Sequence, residues 1–223
     1  LGVQWRTAEP AGVSAELWAA VPQVAAPPAA RPAPPEPKPE PPAVKLPAPP
    51  PVAYIKVSGG IFRDMMIHDF DMARFLLAEE PVEVFALGSA LVDPAIGQAG
   101  DVDTAAVLMK TASGKIAQIS NSRRATYGYD QRIEVHGSNG VVSAENQRPV
   151  SIEIASSLGY TRPPLHDFFM TRYTEAYANE IAAFIAAIEQ GATISPSGTD
   201  GLIALQLADA ALESAKTGKR ITL

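Results

Sequence analysis

The chain has 223 residues and a formal net charge of −6, and its 47% hydrophobic content is sufficient for a buried core. The acidic balance excludes a basic surface for nucleic acid, and no apolar run is long enough to span a membrane. The absence of cysteine excludes disulfides, thiolate zinc sites and a cysteine nucleophile. It is compatible with a reducing compartment, and we expect a cytoplasmic protein.

Residues 1–53 differ in composition from the rest of the chain. They hold 15 of the 21 prolines, most of them in the stretch APPAARPAPPEPKPEPPAVKLPAPPP. Proline cannot donate a backbone hydrogen bond, so such a stretch favours the polyproline II conformation over a packed core. We therefore predict a disordered leader or linker over 1–53 and a folded domain over 54–223.

The first element predicted in the domain is a helix over about 62–77, which follows the turn signal Ser58-Gly59-Gly60. Met66, Phe70, Ala73 and Leu77 recur at helical spacing and are expected to face the core.

Alternating strand-like runs follow between residues 82 and 156, and the short signals at 113–114 and 138–140 predict hairpins with antiparallel pairing. Two further helices are predicted over about 168–189 and 199–216, ended by Gly191 and Gly218. The order helix, strands, helices predicts an α+β fold and not the alternating βαβ order of a nucleotide-binding domain.

Asp64 and His68 are the candidate catalytic pair within the first predicted helix. Four residues apart, they project from one helical face, rotated by about 40°. A histidine can accept a hydroxyl proton, and a nearby carboxylate stabilises the imidazolium that forms. The alternative is structural, with Asp64 solvating the first helical turn and His68 packing in a satisfied pocket. The spacing alone does not decide between them.

Two other polar groupings in this helix have structural explanations. Asp71 and Arg74, three residues apart, are expected to pair on the helix surface or to lock it to the sheet. A metal site built from Asp64, His68 and Asp69 is disfavoured, because Asp69 points about 100° away from His68. We predict no metal site.

The string GGIFRDMMIHDFDMARFLL resembles the GGxxxDxxxHDxDxxR signature of inositol 2-dehydrogenases in the Gfo/Idh/MocA group of oxidoreductases. Further matches are YIKVSGG, RRATYGYDQRIEVHGSNG, FFMTRYTEAYANEIAAFIAAI and DGLIALQLADAALESAKTGKRITL. The resemblance runs from about residue 48 to 223. It implies the C-terminal domain of a two-domain enzyme, with a large mixed, mainly antiparallel open sheet packed with helices.

The resemblance also implies site residues and partners. His68 would be the base on the C2 hydroxyl of myo-inositol, with Asp64 supporting it. Tyr127 or Tyr129 would contact the polyol, and the pattern does not choose between them. Asn121 and either Arg123 or Arg124 are weaker candidates, and both tyrosines could instead serve cross-strand packing. NAD is the expected cofactor of the full-length family, and a dimer or tetramer is the expected assembly.

The departures from the family pattern concern the cofactor half. Neither the GxGxxG fingerprint nor the EKP segment with its catalytic lysine occurs in the chain, so we expect the N-terminal Rossmann domain to be missing. Residues 1–47 do not resemble it, and a shifted reading frame or truncated gene is our hypothesis for them. We expect the chain to bind no NAD and to be inactive alone. The alternative function is a non-catalytic sugar-binding or oligomerisation module.

Overall fold

The computed structural model describes residues 50–223, so the predicted leader lies almost wholly outside the described residues. The helices are α1 Val52–Ser58, α2 Ile61–Asp64, α3 Met66–Leu77, α4 Pro94–Gln98, α5 Phe169–Arg172, α6 Thr174–Gln190 and α7 Gly198–Thr217. The strands are β1 Pro81–Ser89, β2 Thr104–Thr111, β3 Ile116–Ser122, β4 Ile133–Gly137, β5 Gly140–Ala144, β6 Ile154–Ser156, β7 Gly159–Thr161 and β8 Ile221–Thr222.

The main sheet has four strands in the order β3-β2-β1-β8, and all of its pairings are antiparallel. The pairs β4-β5 and β6-β7 form two separate antiparallel hairpins. Both hairpins predicted from turn signals, β2-β3 and β4-β5, are confirmed. The predicted α+β class is also confirmed, and the strands fall into three sheets where the sequence predicted one large sheet.

The core lies between one face of the main sheet and helices α2, α3 and α7. Alternate residues of β2 point into it, so Ala105, Val107 and Met109 are buried while their neighbours are exposed. The helices contribute large side chains, of which Met66 and Phe70 are fully buried, as their spacing predicted. This packing fixes α3 across the sheet.

The other face of the main sheet is uncovered in the described chain. Leu87, Leu108 and Ile116 lie on it and are 59%, 49% and 69% exposed. Their cross-strand neighbours include Ala106, which pairs with Leu87 in the register of β1 and β2. Val84 and Ala86 lie on the covered face and are fully buried under the helices.

A buried arginine joins α3 to its surroundings. The guanidinium of Arg74 donates to Asp71 at 2.8 Å and to both carboxylate oxygens of Glu80 at 2.6 and 2.7 Å. It also donates to the side chain and carbonyl of Asp200 in the first turn of α7. The predicted pairing of Asp71 with Arg74 is confirmed, and the arginine connects α3 to α7 and to the start of β1.

Three predicted elements differ in their boundaries, and the helix predicted over 168–189 is divided at Tyr173 into α5 and α6. The helix predicted over 62–77 is interrupted at Met65, which separates α2 from α3. Helix α1 begins at Val52, within the stretch that the sequence assigned to the leader. Among residues 50–223, no helix combines the length and the apolar character that crossing a bilayer requires.

Candidate active site

Asp64 is the last residue of α2, and both of its carboxylate oxygens are bound by other elements. The phenol of Tyr54 in α1 donates to Oδ1 at 2.5 Å, and Arg123 donates to Oδ2 at 2.8 Å. The hydrogen bond to the carboxylate, followed by burial, raises the pKa of Tyr54 above its ordinary value. Asp64 is therefore held in one orientation by a phenol and a guanidinium.

Arg123 forms ion pairs with two carboxylates, Asp64 and Asp101. Its side chain is 1% exposed, and it donates a second hydrogen bond to Asp101 at 3.2 Å. Asp101 also accepts from the backbone N–H of Ile61 at 3.1 Å. Gly60, the residue before Ile61, has a φ of +85°, and a Cβ on it would lie 2.8 Å from the carboxylate of Asp101. The glycine lets this carboxylate reach the start of α2.

His68 lies in α3 and is exposed, three residues beyond the interruption at Met65. Among the hydrogen bonds and ion pairs of the described residues, none joins His68 to Asp64. A shared helical face for Asp64 and His68 requires one continuous helix, and Met65 separates α2 from α3. The catalytic roles of His68 and Asp64 stay predictions, with the imidazole free to meet a ligand.

Asp69, next to His68, forms the centre of a second polar cluster. Its two carboxylate oxygens accept from Asn121 at 2.8 Å and from Gln131 at 3.0 Å. The other side-chain atom of Asn121, Oδ1, is buried without a hydrogen-bond partner in the described chain. A buried carbonyl oxygen of this kind is costly unless something donates to it. The cluster thus contains an acceptor that a ligand hydroxyl could satisfy.

Tyr129 lies beside this cluster. Its ring is packed edge-on against Tyr173 with centroids 5.9 Å apart, and its backbone N–H donates to the carbonyl of His166 at 2.7 Å. Burial, then the neighbouring phenol of Tyr173 and the charge of Asp69, raises the pKa of Tyr129 to about 12. Tyr129 is thus a neutral hydroxyl donor at neutral pH.

Tyr127 belongs to a different network. It is 53% exposed, and its hydroxyl donates to Asp130. Asp130 also accepts from Arg132 and from Asn146. Burial opposes ionisation of Asp130, but the hydrogen bonds from Arg132, Tyr127 and Asn146 outweigh it and lower its pKa to about 2. Of the two candidate tyrosines, only Tyr129 neighbours Asp69.

Sequence reasoning missed several residues of this site. Tyr54 was placed at the domain boundary, Asp69 was explained structurally, and Arg123 was only a weak candidate. Gln131 was not considered. The signal that could have found them is weak, because their partners lie 10 to 62 positions away in sequence. Within residues 50–223, no group of three or more histidine, aspartate or glutamate side chains could hold a metal ion.

Several characterised proteins are similar to this chain over its C-terminal part. Inositol 2-dehydrogenase of Rhizobium meliloti is 73% identical over 177 residues, which cover 79% of this chain and 54% of that protein. The scyllo-inositol 2-dehydrogenase (NAD(+)) of Bacillus subtilis is 37% identical, covering 78% of this chain and 51% of that protein. The chain thus spans about half the length of these relatives.

Solved structures agree with the sequence comparison. A myo-inositol dehydrogenase from Corynebacterium glutamicum superposes with a TM-score of 0.77 at 45% identity, over 80% of this chain and 54% of that one. A scyllo-inositol dehydrogenase from Lactobacillus casei with bound NAD(H) and scyllo-inositol superposes with a TM-score of 0.69 at 28% identity. The superposition covers 74% of this chain and 48% of that one.

The family comparison covers every element described above. The model of the GFO_IDH_MocA_C family, the C-terminal alpha/beta domain of an oxidoreductase family, matches residues 52–223. The match begins at the first residue of α1 and so includes Tyr54, Asp64, His68 and the Asp69 cluster. The chain therefore belongs to the Gfo/Idh/MocA oxidoreductase family through its C-terminal alpha/beta domain.

Proposed function

We propose that residues 52–223 form the substrate-binding part of an inositol 2-dehydrogenase, which oxidises myo-inositol to its 2-keto form with NAD. The observation that carries the proposal is that α3 presents the exposed imidazole of His68 next to Asp69, whose carboxylate is tied to Asn121 and Gln131. A base beside carboxylate, amide and phenol groups suits the recognition and oxidation of a polyol. The names of the similar proteins support inositol as the substrate.

His68 is the proposed general base. Oxidation of a secondary alcohol removes a proton from oxygen and a hydride from carbon, and NAD+ would accept the hydride in the complete enzyme. An imidazole nitrogen can take the hydroxyl proton as a general base. Asp64, held by Tyr54 and Arg123, is the proposed supporting carboxylate.

The Asp69 cluster is proposed to orient the ring of the polyol. Tyr129, kept neutral by its raised pKa, would donate a hydrogen bond to a substrate hydroxyl. The unpartnered Oδ1 of Asn121 would accept one. A donor and an acceptor fixed on different elements distinguish the positions of neighbouring hydroxyls.

The proposal assigns NAD to the part of the relatives that this chain does not match. All strand pairings within residues 50–223 are antiparallel, so the described residues offer no βαβ unit for a dinucleotide. The described residues therefore do not fit the cofactor on their own. The uncovered face of the main sheet supports self-assembly of the protein, and a cytoplasmic location is part of the same proposal.

The test uses the chain joined to the unmatched N-terminal part of the Rhizobium meliloti relative. We expect His68→Asn to lower kcat with myo-inositol at least about 100-fold, because proton transfer by a positioned base contributes that much. His136→Asn is the matched control, since His136 is exposed and bonded to Glu134 on β4 at 2.6 Å. An unchanged kcat in His68→Asn would remove His68 from the proposed mechanism.

A further inference from the structure

Helix α6 carries an apolar stripe that no other described element covers. Ile181, Phe184, Ile185 and Ile188 recur at positions i, i+3, i+4 and i+7, so they share one face of the helix. These side chains are 48–60% exposed, and no residue of α6 is buried. A helix with such a stripe normally buries it against another element.

The neighbouring helix α7 shows what a covered stripe looks like in the same domain. It is 20 residues long, and Ala204, Leu207, Ala208 and Ala211 are among its buried residues, packed on the main sheet. Helix α6 is 17 residues long and more apolar than α7, yet its stripe faces solvent. The difference lies in the absence of a partner for α6 within residues 50–223.

The position of α6 indicates which partner would cover it. The helix starts directly after Tyr173, whose ring packs on Tyr129 at 5.9 Å and on Tyr177 at 6.3 Å. The stripe therefore begins at the Asp69 cluster and leads away from it. Helix α1, where the matched region begins, also adjoins the site, because Tyr54 bonds Asp64. A domain attached before Val52 would start beside the candidate active site.

The lengths of the relatives supply such a domain. The matched region covers 54% of the Rhizobium meliloti protein, so about half of that protein has no counterpart in residues 50–223. The uncovered face of the main sheet is a less suitable place for it, because that face lies on the side of the sheet away from α3. A partner bound there would not approach His68.

We infer that the apolar stripe of α6 docks the cofactor-carrying domain of the complete enzyme and holds it beside the Asp69 cluster. The inference rests on the proposed function, since it takes the docked domain to be the one that binds NAD. Docking would bury Ile181, Phe184, Ile185 and Ile188 against an apolar surface of that domain. It would also exclude water from the end of the site formed by Tyr173 and Tyr177.

The experiment measures association of the full 223-residue chain with the unmatched N-terminal part of the Rhizobium meliloti relative, supplied as a separate polypeptide. Calorimetry and light scattering should show a complex that Ile181→Glu with Phe184→Glu weakens at least tenfold. Ala183→Glu is the matched control, because it adds a charge about 160° around the helix from Ile181. All three substituted positions are exposed, and circular dichroism would verify that the variants fold.

Three outcomes would overturn the inference. The unaltered chain could fail to associate, the double variant could bind as tightly as the unaltered chain, or the stripe could prove to join two copies of this chain. In the last case light scattering shows a dimer of the chain alone that the double variant dissociates. Association of the two polypeptides requires no turnover. If they associate through the stripe but the joined protein does not oxidise inositol, the proposed function is contradicted and the docking stands.

Discussion

Two arginines of this domain are equally inaccessible to solvent but differ in what surrounds their partners. As whole residues, Arg74 and Arg123 are each 8% exposed, and their side chains are 7% and 1% exposed. The three carboxylates bound by Arg74 are 35–52% exposed, whereas the two bound by Arg123 are 15% and 11% exposed. Arg74 joins helices at the edge of the core, and Arg123 holds Asp64 inside the candidate active site.

The difference determines what each arginine contributes to stability. A carboxylate that loses its cation can be rehydrated at the surface, but a buried one stays desolvated and uncompensated. The contacts of Arg123 are therefore the more expensive ones to break, although Arg74 makes more of them. Arg123 also fixes the orientation of Asp64. Replacing each arginine in turn tests whether the exposure of the partners sets the loss of stability.

The largest effect is expected for Arg123→Met. The variant leaves Asp64 and Asp101 without a cation, and we expect the free energy of unfolding to fall by about 4 kcal/mol. Urea denaturation of both proteins measures the difference. A loss below about 1 kcal/mol would show that water reaches these carboxylates and would contradict their assignment as a buried network.

A smaller effect is expected for Arg74→Met, about 2 kcal/mol, because its partners regain water when the guanidinium is removed. Arg220→Met is the control for both arginine variants. Arg220 is 64% exposed and pairs with Glu83, so its loss should change the free energy of unfolding by less than about 1 kcal/mol. If Arg74→Met lowers the free energy of unfolding more than Arg123→Met does, the exposure of the partner carboxylates does not determine the loss of stability.

The smallest effect concerns Asp130, whose cation Arg132 is 66% exposed. Its folded-state pKa of about 2 lies below the ordinary value of 3.8, so its stabilising contribution is present above about pH 4 and is lost between pH 4 and 2. Screening by solvent limits that contribution to about 1 kcal/mol. As the pH is lowered from 6 to 2, the urea concentration at the midpoint of unfolding should fall less steeply for Asp130→Asn than for the unaltered chain. Equal slopes for the two proteins would contradict the lowered pKa of Asp130.

Local signals in the sequence predicted most of the fold. The Ser113-Gly114 turn lies between β2 and β3, and Gly191 and Gly218 end α6 and α7 in the left-handed conformation. Helical spacing placed Met66 and Phe70 in the core. Each of these signals depends on residues a few positions apart, so a single sequence contains them.

The contacts of the site depend on tertiary structure and could not be predicted in this way. Arg123 reaches Asp64 across 59 positions, and Asn121 reaches Asp69 across 52. No period or turn signal encodes such pairs. The interruption at Met65 was equally invisible, because the apolar spacing on either side of it is compatible with one continuous helix.

The central claim is that this domain holds the base and the substrate contacts but needs a second domain for oxidation. The most direct measurement is the rise in absorbance of NADH when myo-inositol and NAD+ are added to the chain alone and to the chain joined to the unmatched part of the Rhizobium meliloti relative. We expect no rise with the chain alone and steady turnover with the joined protein. Turnover by the chain alone, or none by a folded joined protein that binds NAD, would contradict the claim.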